Sequence, residues 1–395
     1  VTVLYENTRQ NQRRLTHYRD RVEHACAVDS YQNVEALWSA VHHTGAVREG
    51  VDAVVPVLET GVVPAAVLGR LLGARALAPQ VALRCRDKAV QKACWDAAGV
   101  PTARHLVVPD ATAVPGALAA LTERAGLRAP FVVKPTAGYG TVNTFVVDRA
   151  VDLEPAVAAV TALHPELARL LIEERNSGDE WVLDGLVRDG VISWIMVSRF
   201  LIPLVECDEH RPFMKLSLPP AGYPDLYESA TAFARRALDA LELRDGVFHF
   251  ELFGDPDRWV AGELAARPGG QLVAALLAEM LGVDVWECAV KAVTGDAMTP
   301  PRGPSKNVLG YIALPIAPGR TNHVAAADLA ALPGVVALDM TVAPGELMPD
   351  TRENSSARIG GLIIEAADQQ ECARVLARAE QIVARLNGAR SPRRN

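Results

Sequence analysis

Two hydrophobic periods alternate along this chain of 395 residues, and their order predicts its architecture. Residues 1–5 read as a strand and 51–58 as a buried one, while 61–73 place apolar residues at helical spacing and stop on glycine. This is the pattern of an α/β unit of about 80 residues with a parallel sheet. A helix over 86–98 stops at Gly99. Beyond it the pattern turns α+β: strands at 131–134, 144–147 and 170–174, with a helix at 154–163. Strands 180–187 and 191–200 flank the turn signal Arg188-Asp189-Gly190 and predict an antiparallel pair. A helix at 226–241, a hairpin at 246–266 and helices at 272–281 and 285–293 follow. The Pro- and Gly-rich loop 299–304 sets off residues 305–388, a further α+β module ending in a helix. A chain this long exceeds one core and predicts two or three domains.

The hairpin carries the sharpest inference. A three-residue loop, Asp255 to Asp257, pairs Gly254 with Arg258, His249 with Glu263 and Glu251 with Ala261. Phe248, Phe250, Leu252, Val260, Gly262 and Leu264 then share a core-like face; His249, Glu251, Glu263, Ala265 and Arg267 share the other. In that register the two glutamates are diagonal neighbours, roughly 7–8 Å apart at the backbone. Like charges so close repel unless a cation sits between them, and hard oxygen ligands suit magnesium. The alternative is a solvated face on which both glutamates pair with arginines.

Lys134 ends an apolar strand and opens the loop Thr136-Ala137-Gly138-Tyr139-Gly140-Thr141. Backbone N–H groups of such a loop can meet phosphate oxygens while the lysine meets their charge. It is not a Walker loop, since no Gly-Lys-Ser/Thr ending is present, nor a dinucleotide fingerprint. Glu173-Glu174 ends another apolar strand, where a backbone row could face an adenine edge or could simply be solvated.

Composition narrows the class. The net charge of −7 disfavours nucleic acid as the main partner. The most apolar stretch, 51–69, is broken by Asp52, Pro56, Glu59 and Pro64, so no membrane span is expected. Cys26, Cys85, Cys94, Cys207, Cys288 and Cys372 form no Cys-x-x-Cys pair, and no signal peptide is apparent, so a cytoplasmic protein is expected. Arginine supplies most of the 40 basic residues, leaving lysine only at 88, 92, 134, 215, 291 and 306. Where so few lysines are kept, a compact point charge is the reason to look for.

Taken in order, four motifs resemble the ATP-grasp superfamily of carboxylate–amine ligases over roughly residues 85–295. They are Arg86-Asp87-Lys88 with Gly99-Val100-Pro101; Val133-Lys134-Pro135 with its glycine loop; Ile172-Glu173-Glu174 with Gly178-Asp179-Glu180; and His249-Phe250-Glu251 with Gly262-Glu263 and Arg267-Pro268-Gly269-Gly270. The resemblance implies an ATP-grasp fold divided into an N-terminal Rossmann-like domain (1–85), a lid lobe with phosphate loop and hinge (86–185), a lobe with the metal site (186–300) and a C-terminal α+β subdomain with a flexible tail (301–395). It implies that Lys88, Lys134, Gly138, Tyr139, Gly140 and Thr141 contact phosphates, and that Glu173, Glu174 and Asn176 hold adenine. Glu180 would bind ribose, Glu251 and Glu263 magnesium, and Arg267 the γ-phosphate and acyl phosphate. One position departs: many members carry asparagine where this chain has Ala265, which puts a second magnesium ion in doubt.

The implied reaction joins a carboxylate, of an amino acid or related acid, to an amine through an acyl phosphate, releasing ADP. The extra C-terminal module looks most like the L-amino acid ligases that make dipeptides. Arg267 with Gly269 and Gly270 would stabilise the oxyanion, and His249 could take the amine's proton or hold a structural hydrogen bond. Residues 136–141 and the central lobe would form a lid. Arg199, His210, Arg211 and Lys215 could hold a substrate carboxylate, or belong to a solvated loop. A carrier-tethered acceptor and a homodimer are further expectations. A bicarbonate-activating enzyme of the biotin-carboxylase type and a non-catalytic ATP-binding module are the competing readings.

Overall fold

The computed structural model describes residues 1–109, 116–140, 143–163, 169–208, 211–270, 272–349 and 357–388. At the N-terminus β1 (Thr2–Glu6) runs parallel to β2 (His24–Val28), and helices Val34–Thr44 and Val62–Leu72 pack on the pair through Leu37, Val41 and Leu68. Residues 51–58 do not form the strand their hydrophobicity predicts. Ala53 makes one isolated bridge to Arg75, and Pro56 denies the segment a continuous ladder. The second parallel strand is instead β2, whose short His-Ala-Cys-Ala-Val run lacks a bulky alternating pattern.

Two antiparallel sheets follow. Strands β3 (His105–Val108), β4 (Phe131–Pro135), β5 (Phe145–Val147) and β6 (Leu170–Glu174) form a sheet in the order β3-β6-β4-β5. Phe131, Val133 and Ile172 from this sheet pack with Leu118, Leu153 and Val157 of the helices Leu118–Arg124 and Leu153–Leu163. The second sheet has eight strands: β7 (Glu180–Arg188), β8 (Val191–Phe200), β9 (Met214–Leu218), β10 (Gly246–Asp255), β11 (Arg258–Ala265), β12 (Val308–Leu314), β13 (Val335–Met340) and β14 (Gly360–Ala366). Their order is β11-β10-β7-β8-β9-β12-β14-β13. Helices Pro224–Leu241 and Gln369–Leu386 cover one face, and Val273–Leu281 and Val285–Thr294 cover the other.

Two findings alter the expected division of the chain. A boundary at 185/186 would cut β7, which runs unbroken to Arg188; the change of sheet falls at the hinge 175–179. Strands β12–β14 do not make a separate sheet either, because β12 pairs directly with β9. Sequence periodicity finds strands but does not say which edge each one joins.

The β7–β8 turn behaves as expected. Arg188 pairs with Val191, and Asp189 and Gly190 take φ of 51° and 77°, the left-handed pair that a two-residue turn of this twist requires. The β10–β11 turn does not. Asp255 pairs with Arg258 around a two-residue loop, Pro256-Asp257, and Asp255 Oδ1 accepts the N–H groups of Asp257 and Arg258 at 3.0 and 3.1 Å. The extra residue is absorbed by a bulge at Gly262, where a Cβ would sit 2.9 Å from the Glu251 carbonyl oxygen. Beyond the bulge the faces exchange, so Ala261 and Trp259, not Val260, join Leu252 in the core.

Candidate active site

The helix Lys88–Ala97 fixes the first cation. Asp87 caps it, its Oδ1 accepting the N–H groups of Ala89 and Val90 at 3.0 and 3.2 Å. One turn on, buried Gln91 donates to the Leu264 carbonyl (2.7 Å) and accepts the Leu264 N–H (2.9 Å), which ties the helix to β11. Lys88 Nζ is thereby held 2.8 Å from Glu263 Oε1 and 3.2 Å from the Gly138 carbonyl. Arg86 also donates to the Gly138 carbonyl (2.6 Å) and to that of Ala137, so cations grip this loop by its oxygens. Tyr139 and Gly140 continue the loop along the cavity wall; Thr141 lies outside the described residues.

A single cavity of about 1110 Å³ runs from the hinge to the eight-stranded sheet. At the hinge it is lined by Lys134, Glu173, Glu174, Asn176 and Glu180. Lys134 Nζ lies 2.5 Å from Glu173 Oε1. Burial disfavours the charge of Glu173, but Lys134 and Lys92 outweigh it and hold the carboxyl at about 2. The Glu174 side chain is engaged by Arg104 (2.6 Å) and by the Arg128 N–H (2.7 Å), from both of which it accepts. Glu180 Oε2 accepts the Leu204 N–H at 2.8 Å, and burial pushes its carboxyl up to about 7.

The sheet end holds the acidic pair. Because of the bulge, Glu251 and Glu263 lie directly opposite each other, not diagonally. Burial and the Glu263 charge push Glu251 up to about 7. Burial opposes Glu263 as well, yet Lys88 and Lys134 hold it below the usual carboxylate range. Glu263 thus has Lys88 as a close partner, whereas Glu251 forms no ion pair with a lysine or arginine among the described residues, the condition that a divalent ion relieves. Two facing carboxylates are hard oxygen donors of the kind that suit magnesium, and Ala265 adds no side-chain oxygen to them.

His249 Nδ1 lies 2.7 Å from Asp184 Oδ1, and its Nε2 lies 3.8 Å from Glu251 Oε1. Gly269 closes over this pair: a Cβ there would fall 2.7 Å from both Asp184 Oδ1 and His249 Nδ1. Burial opposes the Asp184 charge, but His249 and Lys215, the latter 3.8 Å away, keep its carboxyl low. Arg267 Nε donates to Glu59 Oε2 at 2.5 Å and Nη1 to the Pro268 carbonyl at 2.8 Å. Glu59 is 6% exposed, and its Oε1, 3.9 Å from Arg86, accepts no hydrogen bond among the described residues.

Sequence reasoning named Lys88, Lys134, Glu251, Glu263, His249 and Arg267; the last five line this cavity, and Lys88 stands behind its wall on Glu263. It missed Glu59 and Asp184. Glu59 carried a faint signal, a carboxylate inside the most apolar stretch of the chain. Asp184 stands in a strand that otherwise reads as core. Lys215 is not in a solvated loop: it stands in β9, which is buried throughout, and, 1% exposed, it reaches the cavity. Arg199 instead pairs with Asp179 and Arg211 with Glu206; His210 lies outside the described residues.

No family model matches the chain. It is 23% identical over 336 residues to an L-arginine-specific L-amino acid ligase of Bacillus subtilis, covering 84% of this chain and 79% of that protein. The structure superposes on an L-amino acid ligase from Bacillus licheniformis with a TM-score of 0.72 at 18% identity, over 91% of this chain and 86% of the other. It superposes on carboxyaminoimidazole ribonucleotide synthase of Aspergillus clavatus, solved with ATP, with a TM-score of 0.71 at 16% identity, over 98% and 92%. The fold is therefore the ATP-grasp fold. In fold and in sequence the chain is thus similar to ATP-dependent ligases. No helix among the described residues is long and apolar enough to cross a membrane.

Proposed function

We propose that the protein joins the carboxylate of an amino acid to an amine at this cavity. A carboxylate oxygen attacks the γ-phosphorus of ATP, and the bond to the β–γ bridging oxygen breaks to release ADP. The amine nitrogen then attacks the acyl phosphate carbon, and phosphate leaves. In this reading Lys88, Lys134 and the loop residues Gly138, Tyr139, Gly140 and Thr141 meet the phosphates. Glu173, Glu174 and Asn176 meet adenine, and Glu180 the ribose. Glu251 and Glu263 would hold magnesium, which when bound supplies positive charge beside the triphosphate.

The observation that carries the reading is Arg267, locked by Glu59, in the same cavity as the opposed glutamates. Nucleotide binding alone needs no such arginine. A guanidinium fixed beside the Gly269-Gly270 backbone is suited to the oxyanion formed when the amine attacks. Asp184, by accepting the Nδ1 proton of His249, leaves Nε2 to take a proton from the amine. Phe213, Val273, Trp286, Leu314 and Ile316 add an apolar wall that suits a hydrophobic side chain.

Phosphate release across a panel of amino acid pairs, with mass analysis of the products, tests this. The expected result is ADP formed in step with an amide and only when both partners are present. ADP release driven by bicarbonate without an amine would instead mark a carboxylase. ATP bound with no ADP formed would mark a binding module. A carrier-tethered amine included in the panel, and light scattering for a homodimer, extend the reading. All six cysteines are free, which supports a reducing, cytoplasmic compartment.

A further inference from the structure

Lys92 lies one helical turn beyond Lys88, is 1% exposed, and has no part in the chemistry above. Its Nζ lies 2.9 Å from Glu173 Oε2 and donates to Thr102 Oγ1 at 2.6 Å. The Thr102 hydroxyl in turn donates to the Ala261 carbonyl of β11 at 3.1 Å. Glu173 thus stands between two lysines, Oε1 on Lys134 and Oε2 on Lys92. We propose that Lys92 is a positioning residue for nucleotide binding, which occupies half of Glu173 so that Lys134 keeps a positive charge that Glu173 does not neutralise, available to the phosphates.

The charge balance carries the argument. Two lysines and one carboxylate leave the triad with one net positive charge, close to the cavity wall that Lys134 forms. Without Lys92, Glu173 and Lys134 would close into a neutral pair, and both carboxylate oxygens could draw the ammonium toward the hinge. A buried lysine is costly to desolvate, and a triad kept only for stability is often replaced by apolar groups at no loss. The anchor on Thr102 also fixes which oxygen of Glu173 Lys92 takes, since it ties the ammonium to the strand that bears Glu263.

The inference rests on Lys134 meeting phosphate, so Lys134→Met is the reference. Calorimetric titrations with ATP and with adenosine separate the two questions. Lys92→Met is expected to weaken ATP on the order of tenfold, the scale of one charge-assisted contact, with adenosine unchanged. Lys92→Arg is expected to restore most of the loss. Lys92→Met with Glu173→Gln removes one charge of each sign and frees Lys134, so the ratio of ATP to adenosine affinity, in which any adenine contact of Glu173 cancels, should recover relative to Lys92→Met alone. Equal weakening of ATP and adenosine, unchanged ATP affinity, or no recovery in the double variant would overturn the role of Lys92. If Lys134→Met itself spares ATP, the phosphate reading of the site fails instead. The double variant keeps the net charge of the wild type, so where Lys92→Met folds poorly its ATP-to-adenosine ratio is read against wild type and Lys134→Met: a ratio near wild type supports the role, and one near Lys134→Met overturns it.

Discussion

Glu251→Gln is expected to make the protein more stable at alkaline pH while ending its activity. Burial and the opposed Glu263 raise the Glu251 carboxyl from 4.5 to about 7 in the folded chain. The folded state therefore binds more protons than the unfolded state between those values, and stability falls as pH rises through them. Below about 4.5 both states are protonated and there is no penalty; above about 7 the penalty is complete. A shift of that size corresponds to about 3 kcal/mol as a ceiling. Glutamine keeps the shape without the charge and should recover about 1–3 kcal/mol of it. For a chain this long, each kcal/mol moves the melting temperature by roughly 1 °C. Thermal melts of wild type and variant, without nucleotide or metal, should coincide near pH 4.5 and separate by a few degrees at pH 8. Magnesium with ATP should stabilise the wild type at pH 8 far more than the variant. A variant less stable than wild type at pH 8, or a gap independent of pH, would show that the pair is not under charge strain.

Other consequences are read at single positions. Arg267→Ala should lower turnover by about 10²–10³ with ATP affinity nearly intact, by steady-state kinetics alongside titration; near-normal ADP release with both substrates would refute its role. Gly269→Ala must push apart His249 and Asp184, since its Cβ would fall 2.7 Å from each; kcat should drop while the KM for ATP holds. Amide hydrogen exchange over residues 136–140 should slow when ATP binds, because the loop carbonyls of Ala137 and Gly138 are gripped while its tip, at Tyr139, is 51% exposed. Equal exchange with and without ATP would remove the lid.

What the sequence made legible was local chemistry carried on regular elements. Lys134 ends a strand that alternation marks clearly, and Glu251 and Glu263 face one way in any register that keeps the phenylalanines inside. Their relation, directly opposed, depended on the bulge at Gly262, which no hydrophobic pattern announces because a glycine fits either face. Glu59 and Asp184 become part of the site only through contacts 208 and 65 residues away in sequence, with Arg267 and His249. Lys92 was visible as a rare lysine, but it stands on a helix and its partner Glu173 on a strand of the four-stranded sheet, far away in sequence. Strand β2 was missed and 51–58 misread for one reason: hydrophobicity scores length and bulk, whereas pairing needs a free backbone.

The join between β9 and β12 bears on how this enzyme can be re-engineered. A chain truncated near residue 300 would bare the whole outer edge of β9, the strand that carries Lys215. Such an edge recruits other chains. The last hundred residues are thus no detachable appendage to be traded between homologues; any chimera must bring its own matching border or accept aggregation.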